Sequence, residues 1–71
     1  LIEIGDSVIN VIKVEEYIPT IFLGREIYTF HIFDYDLETA NLFVKPIFES
    51  FNIDYSIYQN EGGWCEIKTK R

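Results

Sequence analysis

The sequence lacks most of what staples a small protein together. Cys65 is its one cysteine, so no disulfide can close within the chain, and His31 is its one histidine. Two soft ligands are too few for a structural zinc site. Methionine is absent, proline occurs twice and alanine once. No apolar run exceeds three residues, which excludes a helical membrane span. Nothing reads as a secretory leader. A lone thiol without a disulfide framework fits a reducing cytoplasm. The missing initiator methionine favours, as an expectation, a piece of a longer protein.

Positive charge is scarce as well. Six Lys and Arg stand against twelve Asp and Glu, for a net charge of −6. Lys68, Lys70 and Arg71 sit together at the C-terminal tip, so residues 1–67 hold all twelve acids against Lys13, Arg25 and Lys45. That body carries −9. It would repel a phosphate backbone, which argues against direct nucleic-acid binding and against the aromatics being a base-stacking platform.

What is present is apolar and aromatic. Of 71 residues, 48% are hydrophobic and 17% aromatic, too many for a disordered chain. The length allows one domain, 1–71, whose core supplies only about 3–5 kcal/mol. With no covalent or metal staple, a homodimer or an obligate complex is expected.

Along the chain, residues 1–4 read as a short strand and Gly5-Asp6 as a turn. Residues 8–18, dense in Val and Ile, read as a strand, although helical spacing also runs through Val8, Val11 and Ile12. Pro19 ends that strand or marks it as an edge. Gly24 is the turn, and "REIYTFHIFDY" the next strand. Leu37, Ala40, Val44, Ile47, Phe48 and Phe51 form the apolar stripe of a helix capped by Asp34 or Asp36 and kinked at Pro46. "IDYSIYQNEGGWCEIKTKR" alternates on both sides of a turn, the pattern of a hairpin. The expected fold is α+β: an antiparallel sheet of order β-β-α-β-β against a single kinked helix.

Tyr28, Phe30, Ile32, Tyr55, Ile57, Cys65 and Ile67 are the predicted floor for that helix. Ile27, Phe33, Tyr35, Tyr58 and Trp64 then project from the other face. Ile21, Phe22 and Leu23 lack cover, as do Leu42, Phe43 and Pro46 on the helix's outer side. Contiguous apolar surface of this kind marks contact sites. The competing expectation is that an N-terminal strand, or a different curl of the sheet, covers it.

No chemistry competes with that reading. Asp34, Asp36 and Glu38 in "DYDLE" lack the twelve-residue pattern of a calcium loop and are explained by helix capping. His31 has no serine or cysteine nucleophile in a recognisable motif, and Cys65 is expected to be a buried structural thiol. "NEGG" lacks the lysine of a phosphate loop. Paired acids such as Glu15 and Glu16 solvate a surface. Neither catalytic residue, metal nor cofactor is expected.

In size and charge the chain is similar to small phage-encoded anti-defence proteins, including many anti-CRISPR inhibitors. The likeness rests on no motif and assigns no residue. It implies an acidic, DNA-mimicking inhibitor in the host cytoplasm. Its partner would be a basic, nucleic-acid-handling protein, met through Ile21, Phe22, Leu23, Leu42, Phe43, Pro46, Tyr58 and Trp64. Glu15, Glu16, Asp34, Asp36 and Glu38 would steer the encounter. The alternative is a regulatory or oligomerisation domain of a larger cytoplasmic protein.

Overall fold

The Val/Ile-rich N-terminal segment is a helix, and that is the main correction to the sequence reading. A computed structural model describes residues 2–70, and Arg71, part of the basic tip, lies outside them. Helix α1 spans Ile2–Val11, where a strand, a turn and the start of a second strand were predicted. Ile4, Val8 and Ile12, four residues apart, are buried together, while Val11 is exposed. Gly5 lies inside the helix because of what packs on it. A Cβ there would come within 2.8 Å of the Tyr17 ring. Its glycine permits close helix–sheet approach rather than a turn.

The remaining elements are β1 (Glu16–Phe22), β2 (Arg25–Ile32), α2 (Leu37–Ser50), β3 (Asp54–Gln59) and β4 (Cys65–Lys70). The order is therefore α-β-β-α-β-β, and two helices replace the single one expected. The four strands form one antiparallel sheet in the order β1-β2-β4-β3. Pro19 does not end the first strand but lies within it, on the sheet's edge, where a missing donor is tolerated.

Both helices pack on one face. Ile4, Val8 and Ile12 join Ala40, Val44 and Phe48 of α2 above Tyr28, Phe30, Ile32, Cys65 and Ile67. Leu37, Ile47, Phe51, Tyr55 and Ile57 pack at the margin, as the two predicted stripes require. Phe48 anchors the centre, edge-on to Phe30 at 6.3 Å and stacked on Tyr55 at 4.5 Å.

The ends of α2 follow local chemistry. Asp36 is the N-cap and accepts the Thr39 N–H at 2.8 Å. Asp34 instead adopts a left-handed conformation, φ 66°. At the other end Ile53 N–H reaches the Phe48 carbonyl and Asn52 N–H the Glu49 carbonyl, each at 3.0 Å. Asn52, at φ 55°, supplies the left-handed residue of this Schellman motif. Helix α2 runs unbroken through Pro46, which faces solvent as expected.

Candidate interaction surfaces

The hairpin of β1 and β2 is longer than the sheet it belongs to. Pairing between β2 and β4 covers only Thr29–Ile32, whereas β1 accompanies β2 down to Phe22 and Arg25. At Tyr28 the ladder to β4 gives way to a side chain, the backbone N–H donating to Thr69 Oγ1 at 2.9 Å. Among the described residues, the far part of the hairpin is thus a two-stranded arm with no third strand beside it.

Its tip combines exposure with an unfavourable backbone. Ile21, Phe22 and Leu23 are 76%, 60% and 86% exposed. The two-residue loop Leu23-Gly24 has φ of 52° and 75°, the positive pair that a type I′ turn requires. Asn or Gly normally takes the first position, because an L-residue with a bulky side chain crowds its own carbonyl there. Asp34 and Asn52, the other non-glycine residues at positive φ among the described ones, are of the tolerant type. Leucine is not.

The second surface is the sheet face opposite the helices. The N-terminal segment joins α2 on the far side, so no described element covers this face. Register places Glu16, His31, Glu66 and Tyr58 in one row across all four strands. His31 Nε2 lies 3.0 Å from Glu66 Oε1, and its Nδ1 lies 3.3 Å from Glu16 Oε2. The doubly protonated ring satisfies both carboxylates, the neutral ring only one. Tyr58 donates its hydroxyl to Glu66. That bond, with the His31 ring adding to it, holds the Glu66 carboxyl below its ordinary range, against the effect of burial.

Above this row Phe33 stacks on Trp64 at 5.2 Å, and His31 lies 6.0 Å from the same indole. Trp64 folds back over Gly62, where a Cβ would stand 1.9 Å from the ring. Its Nε1 is buried and has no hydrogen-bond partner among the described residues, although Glu66 is close enough to feel it. Tyr35 was expected here. It packs instead against the core on the helix side, edge-on to Phe43 at 6.0 Å.

The predicted partner-binding residues do not converge. Ile21, Phe22 and Leu23 occupy the arm's tip. Leu42, 72% exposed, shares the outer side of α2 with Phe43 and Pro46. Tyr58 and Trp64 lie on the opposite face of the sheet. Of the predicted acids, Glu15, Glu16 and Asp34 lie on the β1–β2 side at the end of the sheet away from the tip, whereas Asp36 and Glu38 lie beside Ile57 and Gln59 of β3, at the opposite edge. Lys13 bridges Glu15 at 3.1 Å and Asp34 at 3.7 Å, which raises its ammonium pKa, Glu15 contributing most. Glu16 meets His31, while Asp36 and Glu38 open α2. Thr39, through its side chain and its N–H, holds the Asp36 carboxyl below the usual range. Six strand residues separate Glu16 from the tip, roughly 20 Å at strand rise.

Cys65 is buried on the helix face, and burial pushes its thiol pKa up, with Asp36 adding to the effect. Among the described residues no cluster of three or more His, Cys, Asp or Glu side chains is placed to hold a metal ion. Among the same residues no helix is long and apolar enough to cross a membrane. Sequence reasoning missed the His31–Glu66 pair, since only the β2–β4 register brings residues so far apart in the chain together. The turn glycines were legible, but that Gly62 serves the Trp64 ring was not.

Compared with models of known protein families, with curated proteins and with solved structures, the chain matches none.

Proposed function

We propose that this chain is a non-enzymatic protein-binding module of the small acidic inhibitor or adaptor kind. Its hairpin arm inserts an apolar tip into a pocket of a partner protein. The observation that carries this reading is Leu23, a bulky apolar residue held in the left-handed region at the exposed end of the arm. Folding alone favours Asn or Gly there, so the leucine is retained at a cost to stability for something outside the fold. Ile21 and Phe22 beside it supply the rest of a contact that becomes useful only when buried.

The acids at the other end of the arm supply the long-range part. A partner with a basic surface, such as a nucleic-acid-handling protein, is drawn to them, as an anti-CRISPR-like DNA mimic would draw it. A regulatory or oligomerisation domain of a larger protein is the second reading, favoured by the uncovered sheet face. In it the occupant is a neighbouring domain or a second copy.

The test is kinetic. Partners captured from lysate by the wild-type chain are measured by surface-based kinetics against wild type and Phe22→Ser at two salt concentrations. Phe22→Ser is expected to raise the off-rate by an amount equivalent to roughly 2 kcal/mol or more. The on-rate is expected to fall as salt shortens the roughly 8 Å screening length. An unchanged off-rate removes the tip from the interface, and a salt-independent on-rate removes the steering.

A further inference from the structure

The sheet has two edges and treats them differently. On β1, Phe22 and Arg25 close the hairpin, so Phe22, Thr20 and Ile18 turn their backbone groups toward β2. By alternation Tyr17, Pro19 and Ile21 turn theirs outward. Pro19 therefore deletes the central donor of the exposed edge, a common device against strand addition. On β3, Asn60 donates its N–H to the Trp64 carbonyl at 2.7 Å at the mouth of the hairpin. Counting back, Tyr58, Ser56 and Asp54 face β4, while Tyr55, Ile57 and Gln59 present their N–H and C=O outward. Among the described residues no backbone group pairs with these three. The strand "DYSIYQ" holds neither proline nor lysine, so this edge is unguarded.

A cavity runs alongside it. Its volume is about 500 Å³, and it is lined by Asp36, Leu37, Glu38, Asn41, Ile57 and Gln59. Leu37 and Ile57 make it apolar, and the carboxylates of Asp36 and Glu38, free of ion pairs among the described residues, make its rim negative.

We infer that the β3 edge and this cavity together accept an extended, basic segment of a partner protein. The segment adds as a fifth strand on the outward amides of Tyr55, Ile57 and Gln59. Its alternate side chains enter the cavity, and its cations meet Asp36 and Glu38. A second copy of the chain is the poorer occupant, because it brings another −6 of charge to an already acidic edge. The inference rests on the reading of this chain as a protein-binding module but not on the hairpin tip, and the test separates the two.

The probes are a labelled ten-residue peptide alternating Lys and Val, and its Glu/Val counterpart. Fluorescence anisotropy reports affinity, and amide NMR reports the site. The basic peptide is expected to bind and the acidic one not, with the amide resonances of Tyr55, Ile57 and Gln59 shifting most. Gln59→Pro removes one outward N–H and leaves the bonds to β4 in place, so it should weaken binding roughly five- to tenfold. Glu38→Lys should also weaken it, and Leu23→Asn should leave it unchanged. If Gln59→Pro fails to fold, Glu38→Lys and the shift map decide. The inference is overturned by any of four results. These are no binding of the basic peptide, equal binding of both peptides, shifts confined to β1 or the open face, or loss of binding in Leu23→Asn. A wild-type dimer that Gln59→Pro dissociates overturns it too, in favour of a second copy as the occupant.

Discussion

Replacing Leu23 with Asn should make this protein more stable and a poorer binder at once. An L-residue with a full side chain loses about 1–2 kcal/mol in the left-handed region, and Leu23 sits there at φ 52°. Asn tolerates that conformation and is favoured at the first central position of a type I′ turn, so the substitution should recover about 1 kcal/mol. Little is lost in exchange. Full burial of a leucine is worth about 1.5–3 kcal/mol, and this side chain is 86% exposed, leaving roughly 0.2–0.4 kcal/mol to forfeit. The net gain is about 0.7 kcal/mol, which raises Tm by roughly 3–6 °C in a domain of this size.

Thermal melts followed by circular dichroism measure the gain, with Leu23→Ala as the control. Alanine removes the apolar side chain but keeps a Cβ in the same backbone region, so it should not stabilise. If Asn melts no higher than Ala, Leu23 is not strained, and the inference from its backbone to a role outside the fold collapses. If Asn stabilises and partner affinity is unaffected, the strain is real but serves something other than docking.

Two further outcomes follow from the core and from the polar row. Phe48 is fully buried between Phe30 and Tyr55, and Phe48→Ala should cost about 3–5 kcal/mol, enough to abolish the cooperative melt of so small a domain. A melt like that of wild type would mean that α2 is not seated as described. The Glu66 carboxyl is lowered in the fold, so its stabilisation is present above the ordinary glutamate value of about 4.3 and is lost as pH falls through the depressed one. Stability of wild type and Glu66→Gln, compared by denaturant titration from neutral pH down to pH ~3, should therefore differ at neutral pH and converge in acid. A gap that persists at the acid end would show that the carboxylate's charge is not what Glu66 contributes.

The elements that could be read from the sequence are those whose local signals agree with one another. Helix α2 shows an apolar stripe at spacings of three and four and an Asp at the cap, and both point to one conformation. The final hairpin alternates cleanly on both sides of its turn. In α1 the signals conflict. Its Val and Ile side chains prefer strands, Gly5 and Asp6 look like a turn, and only the spacing of Ile4, Val8 and Ile12 favours a helix. Tertiary packing settles that conflict, because the apolar stripe and the bare Gly5 backbone seat α1 against Tyr17 and the core. That placement has a consequence for the surfaces. A helix beside α2 cannot cover the opposite face of the sheet, and strand pairing through β1 leaves β3 at the other edge. The exposed tip was legible as three apolar residues beside a glycine. The unguarded β3 edge was not, because which strand ends a sheet depends on pairing order, and nothing in "DYSIYQ" encodes its neighbours.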